Sequence, residues 1–412
     1  MTNKTAAISV IKELRRHGFE SLLAGGCVRD MLLDRRASDY DVATNAHPEQ
    51  TMKIFLRTLK VGAKFGVVIV LVRGVQVEVA TFRTETGYTD GRHPGTVKFS
   101  SAEEDAARRD FTINGMFFDP LNKEVLDYVG GREDLKKKTI RTIGKPQERF
   151  DEDYLRMLRA VRFSTQLGFK IESLTWSAIC ANAEKIQKIS GERIAIELEG
   201  ILAHPNRADG VSMLIESGLA EAIFSGIDSE QMKLRQAIVR QLPKQVDFAL
   251  ALAAFFAVCE TKLSIELCHV LKLSRNQYQH IKFLLSNRGR LLDEQMSLAD
   301  LKKILSEPYF NDLYELQRAI QKATIGGRKS LSTLLKLRRR IRALGDVELR
   351  PKPLLNGHDL IRLGAVPGPG LGQLSQELYT AQLEGALQTA GQAELWAKEW
   401  LKKHKIDNRR FK

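Results

Sequence analysis

Residues 22–44, LLAGGCVRDMLLDRRASDYDVAT, constrain the fold of this chain more than any other stretch. The pattern predicts a short apolar strand ending at Gly25-Gly26, a helix over about 27–33, a polar turn, and a second strand carrying Asp39 and Asp41. Residues two apart in a strand point to the same side. Two carboxylates held together without a cation repel, and a divalent metal removes that conflict. Carboxylate oxygens that leave positions open for substrate phosphates suit Mg²⁺, which rarely receives a full protein cage. The glycines allow close backbone approach to a ligand, and the start of the helix aims free amides at it. A glycine pair alone is usually a turn, and a DxD alone is usually a solvated acidic pair. Joined in one strand-helix-strand unit, they point to a bound triphosphate.

The rest of the composition narrows the partner. With 64 Lys+Arg against 50 Asp+Glu, the net charge is +14 and the pI about 9.5, which calls for a polyanion: RNA, DNA or an acidic membrane. No run of 18 apolar residues occurs, the most apolar segment being 248–259, so no membrane span is expected. The N-terminus carries charge through its apolar stretch and lacks a signal-peptide core. Cys27, Cys180, Cys259 and Cys268 are scattered without CxxC spacing, so neither disulfides nor a zinc site is expected, and the setting reads as reduced and cytoplasmic. A length of 412 residues allows two to four units.

Along the chain, residues 5–16 form an amphipathic helix pattern and 48–59 a helix opened by proline. Two β-rich runs, 67–73 and 75–82, meet at Gly74 in a hairpin, and the second places Glu78 among apolar neighbours. A buried acid in a strand is commonly paired with arginine, but beside two aspartates Glu78 is a candidate third carboxylate. Residues 84–98 are polar, glycine-rich and without period, as in a mobile loop. The following AEEDAARRDFTINGMFFDP reads as a helix with Arg108, Arg109 and Asp110 close to Asn114, groups able to hold phosphate and hydroxyls.

A second informative stretch is ERFDEDYLRMLRAVRF. Asp153, Arg156, Arg159 and Arg162 recur every three residues and are expected on one helix face, while Leu155, Leu158 and Phe163 read as core. A surface salt-bridge ladder is the plain alternative for such a stripe. From 173 onward nearly every segment is helical in period, with a helix starting at Ser190-Gly191-Glu192, a basic run KLRRRIRAL from Lys336, and a break at 350–353. Boundaries are expected near 138, 206 and 290, giving units 1–137, 138–205, 206–290 and 291–412.

AGGCVRDMLL, SDYDVAT, RRDFTIN, EDYLRMLRAVRF and GERIAIEL, in this order, resemble the successive motifs of the class II tRNA nucleotidyltransferases, the CCA-adding enzymes, with bacterial poly(A) polymerases as close relatives. The resemblance implies an α+β chain: a polymerase-β-like nucleotidyltransferase head with a mixed sheet and helices, then an all-helical neck, body and tail, the tail binding tRNA. It implies that Asp39 and Asp41 hold the metals and that Gly26 and Arg29, with Gly25 beside them, contact the triphosphate or sugar. Arg109 with Asp110, next to Arg108 and Asn114, would hold phosphate and ribose. Asp153 and Arg156 would read the base, with Arg159 and Arg162 in support. The expected substrates are CTP, ATP and the acceptor half of tRNA.

The chemistry needs no protein nucleophile: two Mg²⁺ ions would activate the RNA 3′-hydroxyl and neutralise departing pyrophosphate. The absence of GxxxxGK[ST] excludes a P-loop NTPase, and the absence of HExxH and HxxEH excludes a zinc hydrolase of those types. His358-Asp359 is the only HD pair and sits where a helix start is expected. Complete CCA addition is the favoured activity; A-only addition, CC-only addition and poly(A) synthesis are the alternatives within this chemistry. The strand VGAKFGVVIVLV lacks the basic, histidine-containing signature of the poly(A) enzymes, and a purely RNA-binding module would not keep both aspartates.

Overall fold

The fold is seen in a computed structural model that describes residues 1–60, 66–86, 96–227, 229–325 and 331–407. The amphipathic Asn3–Arg16 helix begins at a Thr2 capping box and lays Ala6, Ala7, Val10, Ile11 and Leu14 on the sheet beneath it. The strands are β1 (Ser21–Ala24), β2 (Asp41–Thr44), β3 (Thr58–Leu59), β4 (Val67–Val72), β5 (Val75–Thr81), β6 (Arg83–Thr86), β7 (Thr96–Phe99), β8 (Phe117–Asp119) and β9 (Glu124–Leu126). A seven-stranded mixed sheet has the order β3-β4-β5-β2-β1-β8-β9, β2 and β5 running parallel and the other neighbours antiparallel. The β4–β5 hairpin turns at Arg73-Gly74, both at positive φ, as the glycine suggests. The proline-opened helix is shorter than its pattern, Pro48–Ile54, and the chain then pairs as β3. Strands β6 and β7 pair with each other, and the glycine-rich connection between them, expected to be a mobile loop, lies outside the described residues.

Beyond the sheet the chain is helical. One buried apolar cluster runs from the head through Leu337, so the sheet and the helices that follow share a core. A second cluster, built on Leu355, Leu360, Leu374, Leu378 and Ala397, closes the C-terminal helices on themselves with Trp396 and Trp400 at its margin. It is tied back by Lys302 Nζ donating to the Leu383 carbonyl (2.7 Å) and Ala299 N donating to Glu384 Oε1 (2.8 Å). The basic run lies on the Ser332–Leu344 helix, which buries only Leu334 and Leu337 and turns Arg338, Arg339 and Arg342 outward. The HD pair opens the Gly357–Arg362 helix, where Asp359 completes a capping box with Asn356, a structural use as expected. All four cysteines are free thiols. Among the described residues no helix is long and apolar enough to cross a membrane.

Candidate active site

Strand β1 delivers the chain to Gly25, whose φ of +72° is one that side-chain-bearing residues rarely adopt. A Cβ there would also stand 3.1 Å from Arg109 Nη1. The Gly26–Leu32 helix follows directly, starting one residue earlier than its pattern suggested. Strand β2 begins at Asp41, so Asp39 is not a strand residue: it lies in the irregular approach, where Ser38 Oγ donates to its Oδ2 (2.9 Å). The two acids nevertheless line one cleft, although only Asp41 belongs to the strand. Register does the rest. Val42 pairs with Val79 across parallel β2 and β5, which sets Glu78 beside Asp41. Val77 and Val79 point into the core while Gln76 and Glu78 are exposed, so Glu78 is an open acid rather than the buried one its neighbours implied.

The Asp41 carboxyl is pushed up to about 6, first by its partial burial against the cleft wall, then by the charges of Glu78 and Asp39, with Arg109 opposing. Like charges set this close favour a cation between them, and oxygen donors of this kind fit a hard divalent metal on Asp39 and Asp41. The three acids do not form a closed ligand cage. Among the described residues only Asp247, His280 and Asp312, far along the helical region, bring three ligand atoms within 4.8 Å of one another. There His280 lies between Asp247 (3.4 Å) and Asp312 (3.0 Å), stacked on Tyr309.

Opposite the acids stands a wall of arginines, each oriented by an anion behind it. Asp105, 2% exposed, takes Arg108 on one oxygen (2.7 Å) and Arg109 on the other (3.0 Å). Burial works to raise the Asp105 carboxyl, but Arg109 and Arg108 override it and hold it below the usual carboxylate range. Asp110 Oδ2 accepts from Arg159 Nε (2.9 Å) and Nη2 (2.7 Å), and its Oδ1 accepts from Phe111 N and Asn114 Nδ2. The helix carrying Asp105 ends at Ala107, so Arg108, Arg109 and Asp110 lie past it, contrary to the longer helix expected. Arg29 bonds Asp30 (2.9 Å) and Asn114 Oδ1 (2.8 Å). Arg162 Nε reaches Glu197 Oε2 at 2.5 Å, and Gly200 leaves the room, since a Cβ there would lie 2.5 Å from Arg162 Cδ.

Asp153 also departs from expectation. The helix starts at Leu155, so Asp153 sits before it and does not share its face: Oδ1 accepts from Leu155 N (3.1 Å) and Oδ2 pairs with Arg193 (2.7 Å). Arg156, the second residue of the helix, pairs with Glu152 at 2.5 Å and not with Asp153. Every residue expected from sequence, from Gly25 to Arg162, nevertheless lines one cleft of about 690 Å³. Arg83, Val67 and Phe163 line it too and were not foreseen. Phe163, read as core, is 6% exposed yet has the guanidiniums of Arg29, Arg159 and Arg162 within 5.3 Å of its ring centroid. The anions Asp105 and Glu197 and the cation Arg193 were missed as supports, while the Glu152–Arg156 pair is the salt bridge that charge at this spacing allows. Asp105 and Glu152 lie at helical spacing from the arginines they hold, a signal the sequence carries, whereas Glu197 and Arg193 come from 35 and 40 residues away and leave none.

Residues 21–141 match the family model described as the poly A polymerase head domain, and 168–231 match the probable RNA- and SrmB-binding site of polymerase A. The CCA-adding enzyme of Geobacillus thermodenitrificans is 35% identical over 393 residues, 93% of each chain. The chain belongs to the CCA-adding enzyme family. Within that family the Anoxybacillus flavithermus enzyme is 36% identical over 96% of both chains. The crystal structure of the Bacillus stearothermophilus CCA-adding enzyme in complex with CTP is 29% identical, covers 99% of this chain and 100% of that one, and superposes with a TM-score of 0.78. A Thermotoga maritima CCA-adding enzyme complexed with tRNA shares the fold at 21% identity, with 95% and 94% coverage and a TM-score of 0.65.

Proposed function

We propose that this chain is a tRNA nucleotidyltransferase that builds the 3′-terminal CCA on tRNA from CTP and ATP without a nucleic-acid template, in the cytoplasm. The observation that carries the reading is the division of one cleft into an acid wall, Asp39, Asp41 and Glu78, and an arginine wall. The RNA 3′-oxygen bonds to the α-phosphorus as the bridging α–β P–O bond breaks, pyrophosphate leaves, and the hydroxyl proton passes to solvent. Mg²⁺ held by Asp39 and Asp41 would supply the charge that activates the hydroxyl and neutralises the phosphates. Gly25, Gly26 and Arg29 border the triphosphate or sugar, and Arg108 and Arg109, steadied by Asp105, take phosphate charge. Asp110 and Asn114 would take the ribose hydroxyls.

Cytosine and adenine each present an exocyclic amino donor beside a ring-nitrogen acceptor; uracil and guanine present a carbonyl and a ring N–H there. Asp153 holds Arg193 and the Leu155 amide, yet a carboxylate has about four acceptor sites and can still take the amino group. Arg156 has further N–H groups for the ring nitrogen, and Arg159 and Arg162 stiffen the same wall. The deciding experiment offers tRNA ending at the discriminator base, at C and at CC, with CTP or ATP, beside unstructured RNA. Stepwise C, C, A addition to the tRNAs is expected. A-tailing of unstructured RNA would select the poly(A) reading, and addition only to the CC-ended tRNA the A-adding one.

A further inference from the structure

The helical region carries a cluster of ligand groups that the cleft does not use. His280, in the Arg275–Ser286 helix, is 7% exposed, and its ring stacks on Tyr309 with centroids 3.9 Å apart. Asp247 caps the Phe248–Phe255 helix through Oδ1, which accepts from Leu250 N (2.8 Å), and Asp312 stands in the first turn of the Phe310–Thr324 helix. These three helices pack on one another, and none of their residues lines the cleft. A buried histidine is commonly a satisfied core residue, and acids at helix starts commonly serve only the helix dipole. His280 does not fit the first reading. Its Nε2 is buried and has no hydrogen-bond partner among the described residues, although Asp312 Oδ2 is only 3.0 Å away. The oxygen therefore lies off the N–H line. Asp247 Oδ2, 3.4 Å from Nδ1, is beyond the usual N–H···O range.

Two acceptors in line with the two ring N–H groups would stand roughly 8 Å apart across the imidazole. Here one ligand atom from each of Asp247, His280 and Asp312 lies within 4.8 Å of the other two, so the carboxylates converge instead of clamping the ring from opposite ends. No lysine or arginine pairs with either acid among the described residues. Convergence of this kind suits a cation. Two ligands each about 2.1 Å from one ion and at right angles are about 3.0 Å apart, the separation seen between Nε2 and Asp312 Oδ2. We propose that His280 Nε2, Asp312 and Asp247 hold a divalent transition ion of the Zn²⁺ type, with waters on the open side where both acids meet solvent. An imidazole beside two carboxylates favours such an ion over Mg²⁺. Tyr309 fixes the ring plane, and the ion staples three helices that come from separate parts of the chain. No cysteine takes part, so cysteine spacing gives no sign of the site.

The test uses the full-length protein, stripped with chelator and dialysed against micromolar Zn²⁺ in a large excess of Mg²⁺, which occupies the carboxylates of the cleft. Asp312→Asn and Asp247→Asn are close to isosteric, lie at positions open to solvent, and leave a residue that still caps a helix start. Wild type is expected to retain about one Zn²⁺ per chain, and each variant to bind it at least about tenfold more weakly. Zn²⁺ should raise the thermal denaturation midpoint of wild type and not that of the variants. Asp41→Asn, which alters only the cleft, is expected to keep the zinc. Equal zinc retention by wild type and Asp312→Asn, or loss of zinc in Asp41→Asn, would overturn the assignment. So would variants whose midpoints fall by the same amount with and without Zn²⁺, the mark of a histidine–carboxylate ion pair only. Both readouts need no turnover, so the site stands or falls apart from the proposed function.

Discussion

The two walls of the cleft solve opposite electrostatic problems. Each arginine on one wall is already matched, Arg108 and Arg109 to Asp105, Arg159 to Asp110, Arg162 to Glu197, Arg156 to Glu152, so this wall is rigid before any ligand arrives. On the other wall Asp41 faces Glu78 and Asp39 with only Arg109 in opposition, and its carboxyl pays for this in a raised proton affinity. A pre-ordered cationic wall gives a triphosphate fixed partners without reorganisation. On the proposed function, base choice would fall to the arginine wall and the metal charge of the reaction to the acid wall.

The strongest way to break this contrast is to remove an acid from the unfinished side. Asp41→Asn is expected to lower transfer of both C and A by on the order of 10³-fold or more, while tRNA affinity stays within a few-fold because phosphate contacts lie elsewhere. Single-turnover assays with CTP and ATP would check it. Loss of one nucleotide only would show that the acids are not shared between the two reactions.

Attacking the finished side should instead cost the fold. Glu197, 4% exposed, is the anion behind Arg162 and lies 3.7 Å from Arg159. Glu197→Ala leaves Arg162 without its carboxylate, while Arg159 keeps Asp110, and is expected to cost about 3 kcal/mol of stability, read as a lower denaturation midpoint, with nucleotide ratios unchanged. A midpoint within error of wild type would mean that the arginine wall is not held by its buried anions.

How much of this was readable from sequence follows the same division. Features set by one local rule came through: the first strand ending at the Gly25-Gly26 pair, the hairpin at Gly74, the Ser190-led helix, the valines alternating around Glu78. Features set by what the chain packs against did not. Asp39 lies outside the strand because the ladder with β1 stops at the Ala24–Asp41 pair. Asp153 lies outside its helix because its side chain is committed to the Leu155 amide and to Arg193, forty residues away in sequence. Phe163 looked like core by hydrophobicity and is core by burial; only the three guanidiniums around its ring make it part of the site, and no periodicity records them.

Base choice sharpens the comparison on the rigid side. Asp153→Ala should lower CTP and ATP incorporation by roughly 10- to 100-fold, the worth of a bidentate pair at about 1–3 kcal/mol, and raise the relative use of UTP. Competition assays with all four nucleotides would check it. The Arg193 pairing offers the alternative in which Asp153 only anchors the following helix to the Gly191–Leu202 helix. In that case stability falls and the ratios among the four nucleotides stay at wild type.

The smallest effect is the most direct probe of the unfinished wall, because it needs no turnover. With the carboxyl of Asp41 near 6 in the folded protein and about 3.9 in an unfolded chain, the folded state binds this proton more tightly. Its ionised form therefore costs stability, fully above about pH 6, and the cost fades as pH falls toward about 4. Asp41→Asn removes that cost. In the presence of a chelator the variant should be more stable than wild type at pH 7 to 8 by about 1 kcal/mol, the partly exposed position being screened by solvent, and the gain should vanish near pH 4. Added Mg²⁺ with nucleotide should reverse the order at pH 8, since only wild type keeps both carboxylates for the ion. Thermal denaturation across this pH range, with and without metal, reads both signs; a variant less stable than wild type in chelator at pH 8 would mean that Asp41 is satisfied by the protein alone.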